Sequence, residues 1–302
     1  MSRARIIEVL NDAGYGSHAA MVESLLQPAI FIRGEQVAYR PQRPGDEPRE
    51  VENDDGDLVP APTLPDLDEA MHNLPLGASR FGGIPDLPPG CEWPVREGVP
   101  MEFVAQIRLA DVAGLDPLER LPATGSLLFF YNTQQSTSDA DGGACGAVLY
   151  HAGADHVLVR ARPPQTKFQG VYDPSPRLAP YVHGLAKLSF AQFECLPGGI
   201  SPFTNGTPVE KFWQDFCANH DTKWMPQGDA PYMSNRLLGY IEAQDRVNAH
   251  ANGKNDQLLL QVDSDSSADF RWGDNDRLHF VLTRQELAAR DFSKVRVYSQ
   301  LG

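Results

Sequence analysis

Phe103-Val104-Ala105-Gln106-Ile107, followed by Gly125-Ser126-Leu127-Leu128-Phe129-Phe130, has a counterpart near the end of the chain. There Leu258-Leu259-Leu260-Gln261-Val262 is followed by Asp276-Arg277-Leu278-His279-Phe280-Val281. Short apolar runs separated by turn residues read as buried strands, so each half offers two strands with a loop between them. Gly83 precedes Gln106 by 23 positions, and Gly239 precedes Gln261 by 22. The agreement predicts an internal duplication, with weakly repeated halves at roughly 74–150 and 235–302. Neither half buries its sheet face alone, and the two are expected to pack as one domain.

The surrounding composition fits such a body. With 25 Pro and 26 Gly in 302 residues, many turns and short elements are expected rather than long helices. The formal charge of −14 repels nucleic acid phosphates and anionic membrane surfaces, so neither is an expected partner. A cationic partner would be attracted, although acidity also serves to keep a protein dispersed. Arg3 and Arg5 are followed by no apolar run of a secretory signal, and no segment approaches the ~20 apolar residues of a membrane span. The cytoplasm is the expected location. Cys91, Cys145, Cys195 and Cys217 lack the close pairing of zinc or redox sites and are expected to be buried thiols.

Residues 1–28 read as a helical preface. One short helix centres on Ile6 to Leu10 and closes at Gly14; a second, capped by Ser17, carries Val22, Leu25 and Leu26. Ala29 to Ile32, the turn Arg33-Gly34-Glu35, and Val37 to Tyr39 alternate as a hairpin would. Residues 41–69 are acidic, proline-rich and poor in aromatics, which predicts a flexible loop. Two capping boxes follow later. Thr207-Pro208-Val209-Glu210 would start a helix with Val209, Phe212, Trp213 and Phe216 on one face, and Thr283-Arg284-Gln285-Glu286 a brief one after a strand.

The run Leu74-Pro75-Leu76-Gly77-Ala78-Ser79-Arg80-Phe81-Gly82-Gly83-Ile84-Pro85-Asp86-Leu87-Pro88-Pro89-Gly90, with Trp93-Pro94 beyond it, resembles the opening signature of the YwqG-like family. So do Met101 to Ile107, Leu121-Pro122, Phe129-Phe130-Tyr131, Leu259 to Asp265 and Trp272-Gly273-Asp274. Asn275-Asp276 departs from the small residue or glycine expected after Trp-Gly-Asp. The resemblance covers residues 29–302. It implies an α+β domain with a mixed or largely antiparallel sheet and a few short helices, without an established enzymatic activity or cofactor. By analogy alone it also implies an immunity-like binding role toward a toxin. It transfers no active-site residue.

Several residues invite a functional reading beside a structural one. Gln106 and Gln261 sit in apolar strands, where an amide needs partners for its oxygen and both N–H bonds. Either they are binding amides across a cleft between the halves, or buried hydrogen bonds that fix register. Trp93 and Trp272 could wall a ligand or anchor loops onto the core, and Arg108, after the first strand, is a further candidate contact. Asp263, Asp265, Asp269 and Asp274 partly follow a calcium loop. Yet Ala268 replaces the loop glycine, and Arg271 or Arg277 could neutralise the carboxylates instead of calcium or another divalent cation. Gly82-Gly83 lacks the lysine of a phosphate cradle, and Gly143-Ala144-Cys145-Gly146-Ala147 lacks the closing glycine of a nucleophile elbow. The leading expectation is therefore a non-enzymatic protein-binding module. The alternative is a hydrolase or small-ligand enzyme using the carboxylates of residues 263–276 with a divalent ion.

Overall fold

A single strand of 12 residues, β1 (Gln27–Ala38), occupies the stretch that alternates like a hairpin. The expected turn at Arg33-Gly34-Glu35 is absent. Gly34 continues the ladder opposite Leu188, and a Cβ added there would overlap the Ser267 hydroxyl. This glycine serves the close approach of a loop, which sequence patterning reads as a turn.

The computed structural model describes residues 3–12, 14–42, 46–52, 56–133, 145–169, 176–195, 235–241, 255–273 and 277–300. The helix anticipated from Thr207 lies outside them. Nine further strands join β1: β2 (Arg80–Gly82), β3 (Glu102–Arg108), β4 (Ser126–Tyr131), β5 (Gly146–His151), β6 (Leu185–Cys195), β7 (Arg236–Leu238), β8 (Asp256–Asp263), β9 (Arg277–Thr283) and β10 (Arg296–Gln300). They form one 10-stranded sheet in the order β5-β4-β3-β2-β6-β1-β7-β8-β9-β10. Every pairing in it is antiparallel. Among the described residues helices are few and short: α1 (Arg3–Asp12), α2 (Ala19–Leu25), α3 (Leu67–Asn73) and α4 (Arg284–Ala288). The fold is thus α+β with a large antiparallel, nearly closed sheet. No described helix is long and apolar enough to cross a membrane.

The two flanks of β6 and β1 run in the same order. In the first, short β2 is followed by β3 and β4, with Arg80 opposite Gln106 and a register shift between Phe103 and Ala105. In the second, short β7 is followed by β8 and β9, with Arg236 opposite Gln261 and a shift between Leu258 and Leu260. The flanks bend toward each other, and one core fills the space between them. Ile107, Leu127 and Phe129 from one side share it with Val262, Leu278 and Phe280 from the other. Phe129 and Phe280 meet edge to face at 5.2 Å. At the far ends, β5 and β10 come close enough that a Cβ on Gly146 would overlap Val297.

The segment read as a flexible loop carries local order. Glu50–Glu52 pairs with Leu58–Pro60, and α3 starts inside it at Leu67, capped by the Asp66 carboxylate accepting from the Glu69 N–H. Composition hides this helix because only Leu67 and Met71 are buried on it, against Ala38, Leu185 and Ile84. The capping box at Thr283 is present, with Thr283 and Glu286 bonding reciprocally.

Gly82 and Gly83 both have positive φ, at 60° and 67°. Gly83 N–H donates to the Gly184 carbonyl at 3.0 Å, and a Cβ on Gly82 would overlap that same carbonyl oxygen. The pair presses the chain directly onto residues 183–184. Gly82→Ala therefore combines backbone strain with a backbone clash, and is expected to destabilise the fold by about 3 kcal/mol or more in urea denaturation.

Candidate functional site

Gln106 is fully buried and its amide is used inside the protein. Its Oε1 accepts from Arg80 at 3.0 Å and from the Asp86 N–H at 3.0 Å, while its Nε2 has no partner among the described residues. Arg80 is itself 0% exposed and pairs with Asp86 at 3.1 Å. Arg160 holds the other oxygen of Asp86 at 2.9 Å. The Gly77 N–H donates to the same carboxylate, and Arg80 also donates to the carbonyls of Ala78 and Ile84. Burial pulls Arg80 down to about 10, the Asp86 charge opposing and the Arg160 charge reinforcing that shift. The arrangement fixes the Leu74 to Leu87 signature.

Gln261 is equally buried, and its Nε2 donates to Asp263 at 3.5 Å. Gln106 lies opposite Leu128 and Gln261 opposite His279, each on the face of its strand away from the one that carries Ala105, Phe129, Leu260 and Phe280 into the shared core. Opposite Gln261 on β9 stands His279, fully buried, with neither ring nitrogen bonded among the described residues. Burial first, then Arg277 and Arg236, depress its pKa from 6.5 to about 3.

The acidic loop is held by protein donors. Asp263 pairs with Arg277 at 3.1 Å, so an arginine does stand where a cation could. Asp265 accepts from Asn235 at 2.6 Å and from the Ser267 N–H at 2.8 Å, and Asp269, at φ 55°, accepts from the Arg40 N–H at 2.8 Å. Asp274 lies outside the described residues, among which no group of three His, Cys, Asp or Glu side chains gathers as a metal site would. Trp272 is buried and donates to the Asp263 carbonyl; Trp93 donates to Met101 and packs on Phe130 at 5.4 Å. Both tryptophans anchor loops. Arg108 reaches solvent on β3 and pairs with Asp155 at 2.7 Å.

Two constellations escape sequence reasoning. His183 donates to or accepts from Glu102 at 3.0 Å through Nε2, although 81 positions separate them, and Thr133 donates to the other Glu102 oxygen. Tyr181, Phe270 and Trp272 pack around the His183 ring at 4.8 to 5.4 Å. No local spacing announces a contact of such separation. The second is a cleft of about 680 Å³ lined by Tyr39, Arg40, Arg49, Pro65, Arg162 and Val182, among others. Arg40 pairs with Asp46 at 2.6 Å and Arg162 with Asp68 at 3.2 Å. Arg49 lies over the Tyr39 ring at 4.6 Å and donates to the Arg40 carbonyl. The available signal was weak: arginines set among prolines, at Arg40-Pro41, Pro48-Arg49 and Arg162-Pro163.

The cleft is the one place in these constellations where charged donors and apolar walls converge on open space, as ligand sites require. Asp86 and His279 are buried inside the fold, and two tests follow from that. Asp86→Ala strands two guanidiniums, one of them fully buried, and should lower unfolding free energy by about 3–5 kcal/mol in denaturant titration. An unfolded chain protonates His279 near 6.5 while the folded one resists to about 3. Stability from this group is therefore complete above pH 6.5 and falls by up to about 1.4 kcal/mol per pH unit below it. In His279→Gln, the loss of stability between pH 6.5 and pH 4.5 should be visibly shallower than in the parent.

No curated protein matches the chain. Residues 79–300 match the family described as Domain of unknown function (DUF1963), a span that takes in β2 through β10 and both buried glutamines. By that match the chain belongs to the DUF1963 family.

Proposed function

We propose that the protein is a non-enzymatic binding module, cytoplasmic, which takes a segment of a partner protein into the cleft beside Tyr39, Arg49 and Arg162. The cleft itself carries the reading: its volume of about 680 Å³ suits several side chains, and its walls join guanidiniums with an aromatic ring and prolines. Tyrosine and arginine are the residue types that most often dominate binding energy at protein interfaces. The matching order of strands on the two flanks, each with its arginine opposite a glutamine, supports an internal duplication of halves 74–150 and 235–302. The signature around Arg80 supports the narrower YwqG-like membership. Toxin neutralisation is a role such a module would serve, and it rests on the resemblance alone.

The enzyme alternative, with carboxylates of residues 263–276 and a divalent ion, has less behind it. Asp263, Asp265 and Asp269 are each engaged by protein donors, and two of them by bonds that position the loop itself.

A photo-crosslinking residue placed at Gln165, on the cleft wall, tests the binding reading in the native host. It should trap a partner protein that Arg49→Glu with Arg162→Glu no longer retains, at unchanged thermal midpoint. A partner held equally well by the double variant would show that binding occurs elsewhere. Co-expression with the neighbouring gene's product tests neutralisation: growth rescue should be lost in the same double variant.

A further inference from the structure

We infer that the cleft selects an acidic, extended segment, whose carboxylates take the guanidinium positions that Asp46 and Asp68 of this chain now hold. The inference rests on the binding reading above and names its ligand chemistry. A chain with a formal charge of −14 nonetheless gathers Arg40, Arg49 and Arg162 around one cleft. Asp46, Asp66 and Asp68 stand among them, so the cleft is balanced in charge, and a carboxylate enters it by exchanging with one of the chain's own. Planar guanidiniums match carboxylates with paired hydrogen bonds, and this chain itself supplies the example of Arg160, which donates through Nε and Nη2 to the two oxygens of Asp86.

The acidic stretch 41–69 therefore acts as a built-in stand-in. It carries ten carboxylates against two arginines, and Pro41, Gln42, Arg49 and residues 64–68 of it line the cleft. Its hold is unequal. The Arg162–Asp68 pair is 75% and 66% exposed, so water competes for it and an incoming carboxylate exchanges with it at little cost. Arg40 and Asp46 are about three quarters buried and yield less readily. Tyr39, Pro41 and Pro65 supply flat walls that suit an extended backbone rather than a helix. Among the described residues Arg49, stacked on Tyr39, bonds to a carbonyl through its Nη2 and to no carboxylate, which leaves most of its donors for the ligand.

Fluorescence anisotropy with three labelled peptides of equal length, alternating proline with Glu, Gln or Lys, tests the inference on the full chain. The Glu-Pro peptide should bind about tenfold or more tightly than the Gln-Pro peptide, with the Lys-Pro peptide weakest. Arg49→Glu with Arg162→Glu should remove that preference, whereas Asp68→Asn should tighten Glu-Pro binding a few-fold by removing the internal competitor. Thermal unfolding checks that each variant is folded. Equal binding of Glu-Pro and Gln-Pro, both lost in the arginine double variant, would overturn the acidic selectivity while leaving the cleft as a binding site. Peptide binding unaffected by the double variant, or no binding of any peptide, overturns the inference. In the latter case the crosslink at Gln165 still decides whether the cleft holds a partner. Asp68→Asn without effect would refute the exchange with the chain's own carboxylates.

Discussion

A carboxylate clasped between two guanidiniums, Asp86 between Arg80 and Arg160, is the constraint on which the first half of the molecule turns. Burying three charges is costly, and the cost is offset only where each donor and acceptor is matched. Here the match demands carbonyls from Ala78 and Ile84, the Gly77 N–H, and the Gln106 oxygen, all in defined positions. The chain from Leu74 to Leu87 can supply them in one course only. That course sets β2 against β3 and brings the glycine pair onto residues 183–184. A polar knot thus determines where the strands of the sheet meet, and apolar packing consolidates the result.

The strands, and the two glutamines as buried polar positions needing partners, were legible because a strand pair leaves a local pattern of apolar residues. What the glutamines bond to was not. Arg80 lies 26 positions from Gln106, and Arg160 74 positions from Asp86; contacts set by topology have no sequence period. The same reason hid His183 beside Glu102. Gly34 misled in the opposite direction. A glycine flanked by polar residues looks like a turn, yet here it removes a side chain so that Ser267 can approach a continuous strand. The acidic loop was half readable: Arg277 was foreseen as a neutralising charge, while Asn235 and the Arg40 N–H were not.

Charge in this protein is arranged on two scales. Over the whole chain, carboxylates prevail and set a long-range field that salt weakens. Around Tyr39 and Arg49, the fold concentrates guanidiniums that come from distant positions, Arg40 from the end of β1 and Arg162 from beyond β5. Asp269 ties the first of these to the acidic loop through the Arg40 N–H, so loop and cleft are mechanically joined. A residue singled out for metal chemistry thereby helps to place the cleft wall.

The close meeting of β5 and β10 has a consequence for the molecule among its neighbours. An open sheet ends in two rows of unpaired backbone donors and acceptors, each a template onto which a strand from another copy can add. Here the Gly146 end of one border lies against Val297 of the other, and Phe292 covers Tyr150 at 5.2 Å. Each border packs against its opposite, which hinders such growth from molecule to molecule. Gly146, with no side chain to hold Val297 away, is the small residue that lets the two ends guard one another.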